Sequence, residues 1–429
     1  MNPALFSILS ETAHRNADRY RAFLQELLRI PTPRMREHRC IRFLGDSLSE
    51  LGQAVTWFEG LGLMEETPDG PPLNFFCTRP GTGGGRSLLV EAHIDTVPPG
   101  DERKWDSSPW SGEIGDGRIY ARGAHDDRVG AAMLWMLRDL LDQCGVRTKG
   151  DLHFLVTTEE EFCSGGMKAF LSHPRKFVPD AHIGLDGNRG NACITGHAGA
   201  LPFEVVFDGA WGSVLLASPT QDLNPLTWAC RFIAELERFA EVTRARFRER
   251  NSDARWPDPV LIPNAIHTRD WMSNLPEQCT VRVFANVMPP ITLAEFKRWV
   301  AEFVDSFVAR NPSLGAHPPR VEWLPVEIPS YVLPEDSELL RELGGCHREA
   351  FGVSLETRYI GGWGDMRLLG SPEVILCGPG GGGGGHTYNE YFELDALVPT
   401  LITLGLLTAH WCGIEESSGL DSGCRIPLG

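Results

Sequence analysis

The sequence predicts an α/β protein in which a mixed sheet flanked by helices is interrupted by an inserted βαββαβ domain of split-βαβ, ferredoxin-like pattern. Three observations carry that reading. Short apolar strand segments alternate with helical segments over the first half of the chain. Acidic residues or histidines follow directly on several of those strand segments. Between about Gly199 and Ile328 the order of elements changes, and no group of potential metal ligands occurs there.

The elements follow in chain order. Tyr20, Phe23, Leu24, Leu27 and Leu28 recur at helical spacing and mark one apolar face, which Pro31 and Pro33 terminate. Leu88–Val90 reads as a buried strand entering the polar loop His93–Asp106, with the apolar helix Val129–Leu141 behind it. Leu152, Phe154 and Val156 alternate as a strand that stops at Glu159-Glu160-Glu161. Ile183–Leu185 before Asp186, and Val374–Leu376 before Gly378, repeat the arrangement, so a site is expected along the carboxyl edge of the sheet. The insertion runs strand Phe203–Phe207, helix Pro225–Phe239, strands Val260–His267 and Cys279–Val287, helix Leu293–Val308 and strand Arg320–Leu324. Strand-and-ligand order resumes at Tyr359. The expected domains are therefore residues 1–198 and 329–429, forming one discontinuous domain, and the inserted residues 199–328.

Composition narrows the function classes. A chain of 429 residues favours two domains, and 42% hydrophobic with 23% charged residues is ordinary for a globular protein. A formal charge of -17 offers no general attraction to nucleic acid or anionic lipid. Eleven cysteines without a CxxC pair suit reduced thiols, hence a cytoplasmic location. The first twenty residues contain no secretory apolar region, and Ala396–Ala409, with Pro399 and three threonines, falls short of the roughly 20 residues of a membrane span. The glycine run Gly380–Gly385 reads as a flexible loop or a disordered tether, since it lacks the Lys-Ser/Thr of a phosphate cradle.

Taken singly, the polar pieces are ordinary. His93-Ile94-Asp95 suits a structural hydrogen-bonder, Asp126-Asp127 a helix cap, and the glutamate run a solvated turn. Together, two histidines and several carboxylates at strand ends are what a pair of divalent ions requires, zinc first, with cobalt or manganese also compatible.

The segments EAHIDTVPPG (Glu91–Gly100), GRIYARGAHDDRVG (Gly117–Gly130), TTEEEFCSGG (Thr157–Gly166), IGLDGN (Ile183–Asn188) and GPGGGGGGHTYNEY (Gly378–Tyr391) resemble the aminoacylase/carboxypeptidase-type dinuclear zinc peptidases. That family includes acetylornithine deacetylase, succinyl-diaminopimelate desuccinylase and glutamate carboxypeptidase. The resemblance spans nearly the whole chain and implies a zinc-peptidase-like catalytic domain with an inserted lid or dimerisation domain. It implies that Asp126 bridges two metals, with His93 and Asp186 on one and Glu161 and His386 on the other. It also implies that Asp95 orients His93, that Glu160 is the general base, and that the Asp126–Asp127 peptide is cis.

Two family features are missing. Gly212 or Trp211 stands where a histidine that helps hold the oxyanion is expected, and Val287 where an arginine pairs with the substrate carboxylate. Arg367 is a candidate replacement for that arginine, Trp211 and Trp363 are candidates to line an acyl pocket, and Asn274 in SNLPEQC is expected near the scissile group. The resulting expectation is hydrolysis of an amide in a small N-acyl amino acid, peptide or related molecule by a homodimer joined through the insertion. The alternative is a non-hydrolytic or carrier-substrate descendant that keeps the metal site for binding.

Overall fold

The computed structural model describes residues 3–33, 36–62, 70–187, 190–210, 212–215, 224–268 and 272–415. The chain divides into two compact units. The first comprises Met1–Thr195, Leu333–Thr357 and Gly364–Gly429; the second comprises Gly196–Val332 and Arg358–Trp363. Arg358–Trp363 thus belongs with the second unit, a short return that the sequence pattern does not signal.

The first unit is built on a mixed sheet of β1 (Val55–Glu59), β2 (Leu73–Arg79), β3 (Leu88–His93), β4 (Leu152–Thr157), β5 (Ala181–Gly184), β6 (Ala192–His197, which leaves the unit after Thr195) and β7 (Glu373–Leu376). The spatial order is β1-β2-β4-β3-β5-β7-β6. The central strands β4, β3, β5 and β7 are parallel, whereas β1, β2 and β6 run antiparallel to their neighbours. All residues of β3 and β4 are buried. The alternation of Leu152, Phe154 and Val156 therefore marks no solvent face, because both faces of a parallel sheet are covered. Met167 and Phe170 of helix Gly165–Ser172 pack with Leu89 and Leu155, and α4 (Arg128–Gln143) packs against β3.

Helix α2 (Ala17–Leu28) buries the foreseen stripe Tyr20, Phe23, Leu24, Leu27 and Leu28, with Phe23 stacked on Trp135 at 3.9 Å. The helix before it, α1 (Pro3–Arg15), is an element that the sequence pattern did not reveal; it buries Leu5 and Leu9. Helix α3 (His38–Glu50) and α5 (Glu338–Phe351) are amphipathic. The terminal helix α6 (Leu397–Cys412) corrects the expectation that its apolar stretch is short. With the turn before it, it forms Leu394–Cys412, 19 residues, long and apolar enough to cross a membrane by length and composition, yet 83% buried within the fold. Pro399 is tolerated because it sits in the first turn, where an N–H has no helical acceptor. The helix packs against α1, α4 and α5 as a core element.

The second unit is an antiparallel sheet in the order Leu261–Thr268, Gln278–Val287, Phe203–Asp208, Arg320–Trp323. Helices Pro225–Arg250 and Leu293–Arg310 bury Phe232 and Phe307 against Phe207 of the sheet. The first helix continues well past Phe239, since Ala240, Thr243 and Phe247 prolong its buried stripe. Asn224 caps its start by accepting the Leu226 N–H at 3.0 Å.

Candidate active site

The ligand candidates are delivered by the carboxyl ends of the parallel strands. His93 is the last residue of β3, Asp186 follows β5 by two residues, and Glu160 and Glu161 open a short helix, Glu160–Cys163, just after β4. Glu159, at φ 63°, adopts the left-handed conformation in the turn between β4 and this helix. Asp126 lies in the turn before α4, and its peptide bond to Asp127 is cis. His386 follows β7 through the glycine run.

These side chains converge. Donor atoms of His93, Asp126 and Asp186 all lie within 4.8 Å of one another, and so do those of Asp126, Glu161 and His386. Asp126 belongs to both groups and offers one oxygen to each side: Oδ1 is 2.9 Å from His93 Nε2, and Oδ2 is 3.1 Å from His386 Nε2. Glu161 Oε2 is 3.0 Å from His386 Nε2, while its Oε1 accepts the Val97 N–H at 3.3 Å. His93 Nδ1 donates to the Asp95 carbonyl oxygen at 3.1 Å. A carbonyl can only accept, so Nδ1 carries a proton, and Nε2, 2.9 Å from Asp126 Oδ1, is the nitrogen turned toward the site.

The Asp95 carboxylate has a further task. One oxygen stands 3.4 Å from His93 Nδ1, and the two oxygens accept the backbone N–H groups of Glu160 at 3.3 Å and Glu161 at 3.2 Å. The family resemblance implies the pairing of Asp95 with His93; the structure adds its grip on the glutamate turn. Glu160 is 6% exposed, and its Oε1 has no hydrogen-bond partner among the described residues. Burial, reinforced by the charges of Asp365, Asp186 and Glu161, pushes its carboxyl well above the ordinary range, against the opposing pull of His93.

The donor set fits divalent cations. Burial pushes Asp186 upward, and the Asp126 charge adds to it. Burial acts in the same direction on Asp126, but hydrogen bonds from His386 and His93 outweigh it and hold that carboxyl low. Hydrogen bonds to Asp126 and Glu161 push His386 up to about 10. Carboxylates gathered this closely in a buried place call for positive charge, and imidazole with carboxylate oxygen suits zinc, cobalt or manganese.

The glycine run overturns the expectation of a loose loop or tether. Gly382–Gly383 is a strand paired with Tyr391–Glu393. A Cβ on Gly385 would lie 2.5 Å from His125 Cδ2, and one on Gly384, at φ 76°, would lie 3.0 Å from the Glu390 backbone. Close packing beside the ligand turn explains the absence of side chains there.

The remaining candidates fall in both units. Arg367 is half-buried in the turn Asp365–Leu369 of the first unit. Trp363 belongs to the second unit and stacks on Phe284 at 5.8 Å. Asn274 also belongs there, in a two-residue strand whose partner is Gly212–Ser213. Val287 is buried in the same unit, paired with Gly199. Trp211 lies outside the described residues. Sequence reasoning missed Asp365, which is buried, accepts from Thr157 Oγ1 at 3.2 Å and is pushed up to about 7 by burial and then by Glu91. It also missed Glu390, although that residue lies within the segment Gly378–Tyr391 that carries His386.

A mixed α/β sheet whose strand ends bring together two His/carboxylate groups around one shared aspartate defines a dinuclear metallohydrolase acting on amide bonds. The model of Peptidase family M20/M25/M40 matches residues 89–409, and the chain belongs to that family. It is 24% identical over 365 residues to the N-formyl-4-amino-5-aminomethyl-2-methylpyrimidine deformylase of Halalkalibacterium halodurans, covering 77% of this chain and 81% of that one. It is 36% identical to the succinyl-diaminopimelate desuccinylase of Methylorubrum extorquens over 141 residues, 33% of this chain and 35% of the relative, so the match spans about a third of that protein. The di-peptidase Dug1p of Saccharomyces cerevisiae has a similar fold, with a TM-score of 0.77 at 14% identity, covering 95% of this chain and 98% of that one.

Proposed function

We propose that the protein hydrolyses the amide bond of a small N-acyl amine or peptide, with Glu160 as general base and acid. The observation that carries this reading is the buried, unpartnered Glu160 Oε1 beside the two ligand groups. His93, Asp126 and Asp186 would hold one ion and Asp126, Glu161 and His386 a second, and such ions would supply positive charge to acidify water and polarise the scissile carbonyl. Glu160 takes a proton from the attacking water and returns it to the departing amine nitrogen, a role for which a raised carboxyl is suited. Asp95 fixes the Glu160 backbone and the His93 tautomer, so both face the reacting atoms without rearrangement.

The substrate is a neutral amide in this reading. The sequence carries Val287 where the family resemblance leads one to expect an arginine for a substrate carboxylate, and an unpaired buried carboxylate costs several kcal/mol. The names of the relatives also point to varied acyl groups, formyl in one and succinyl in another. We further propose a homodimer through the second unit, where the edge strand Leu261–Thr268 exposes Ile262 and Ile266. A cytoplasmic location is part of the reading, supported by free cysteines among the described residues. Incubation of the zinc- or cobalt-loaded protein with N-formyl, N-acetyl and N-succinyl amines and dipeptides tests it. Metal-dependent amine release is expected, greatest for substrates without an α-carboxylate; no release from any of them would overturn the proposal.

A further inference from the structure

Of the residues at the site, His93 and Asp186 stand at the ends of sheet strands, while Asp126 and His386 lie on loops. Something other than the sheet must hold those loops. Glu390, four residues after His386, is fully buried, and its carboxylate is surrounded by donors from the Asp126 turn. Oε1 accepts the backbone N–H of His125 at 2.7 Å and of Asp126 at 3.0 Å. Oε2 accepts the Gly123 N–H at 3.1 Å and Arg122 Nη1 at 2.5 Å. Arg122, itself 2% exposed, also donates through Nη2 to the Thr387 carbonyl oxygen at 3.0 Å, beside His386. The Glu390 carbonyl oxygen accepts the Ala121 N–H at 3.1 Å, so the two loops are joined through main chain and side chain alike.

We infer that Glu390 is a positioning residue: with Arg122 it clasps the Asp126 turn to the His386 loop and thereby sets the geometry of the Asp126/Glu161/His386 ion site. Buried backbone N–H groups require acceptors, and this carboxylate serves three of them along with a guanidinium. Its two oxygens are both acceptors, which no other side chain of that length provides: a glutamine would turn an NH2 toward one of the two donor pairs. The Asp126 carboxylate rides on the backbone so held, and His386 rides on the segment that holds it. The His93/Asp126/Asp186 site keeps two of its three ligands on strand ends, so the clasp matters less there.

The inference rests on the two-ion reading above, and the test separates the two. Full-length protein is stripped with a chelator and titrated with Co2+ alone, following uptake by calorimetry and the visible spectrum of the bound ion. The native chain is expected to take up two ions. Glu390→Gln is expected to keep one at near-native affinity and to hold the second about 10–100-fold more weakly, with a changed spectrum for that ion. Native affinity for both ions in the variant, or equal weakening of both, would overturn the inference even if its thermal stability fell. Should Glu390→Gln fail to fold, Arg122→Gln, which leaves the three backbone bonds in place, is expected to shift the same ion in the same direction, and no shift would count against the clasp. Uptake of fewer than two ions by the native chain would instead defeat the two-ion reading itself.

Discussion

The carboxylate of Asp95 accepts the backbone N–H of Glu160 at 3.3 Å, which ties the residue two places beyond His93, a proposed ligand, to the proposed proton carrier. The adjacent bond to the Glu161 N–H, at 3.2 Å, extends the hold to a proposed metal ligand. Asp95→Asn keeps the shape but loses the charge and one acceptor. Metal affinity or turnover is expected to fall about 10–100-fold, with little change in the melting temperature. Steady-state kinetics on the metal-loaded variant check this; native turnover would show that the bond is dispensable.

Glu160→Ala is expected to reduce kcat by on the order of 10²–10⁴-fold while two ions remain bound, because the residue moves a proton and is not itself a ligand. Elemental analysis beside the kinetic assay separates the two effects. Native turnover in a fully loaded variant would remove Glu160 from the mechanism.

Two glycines give opposite expectations. Gly385→Ala places a Cβ against His125 Cδ2, next to Asp126, and is expected to lower both stability and turnover. Gly345→Ala lies inside α5 with nothing within 4 Å of the added carbon, and is expected to stabilise the protein by about 1 kcal/mol. Denaturant unfolding of both variants checks the contrast.

His153 predicts acid sensitivity apart from the metal site. It is buried on β4, lies 2.8 Å from Thr78 Oγ1 and stacks on Phe177 at 3.9 Å. Burial pulls its pKa down from 6.5 to about 4. The unfolded chain therefore binds this proton more readily than the folded one, so the stability it contributes is complete above pH 6.5 and drains away as pH falls toward 4. The loss reaches about 3 kcal/mol. His153→Gln is expected to unfold with a shallower pH dependence across that window; an unchanged slope would assign the acid sensitivity elsewhere.

The strand ends were legible because an apolar run giving way to His93, to Glu159-Glu160-Glu161 or to Asp186 is a local signal. Their reading as ligands came from the family resemblance, since each piece alone is ordinary. The glycine run was not legible: a chain without side chains looks the same whether it is loose or pressed against its surroundings. Only the positions of His125 and Glu390 decide between those states. Asp365 and Glu390 escaped notice because their partners are remote in sequence; 208 residues separate Thr157 from Asp365, and 264 separate Asp126 from Glu390. The alternation of Leu152, Phe154 and Val156 marked β4 as a strand but not that both of its faces are buried, since coverage of a strand's second face depends on helices elsewhere in the chain.

The account depends above all on Asp126 joining two cation sites. Elemental analysis of the zinc-loaded, dialysed protein and of its Asp126→Ala variant tests that dependence most directly. Two zinc ions per native chain and loss of tight binding at both positions in the variant are expected. A native chain that retains no zinc, or a variant that keeps both ions, would contradict it.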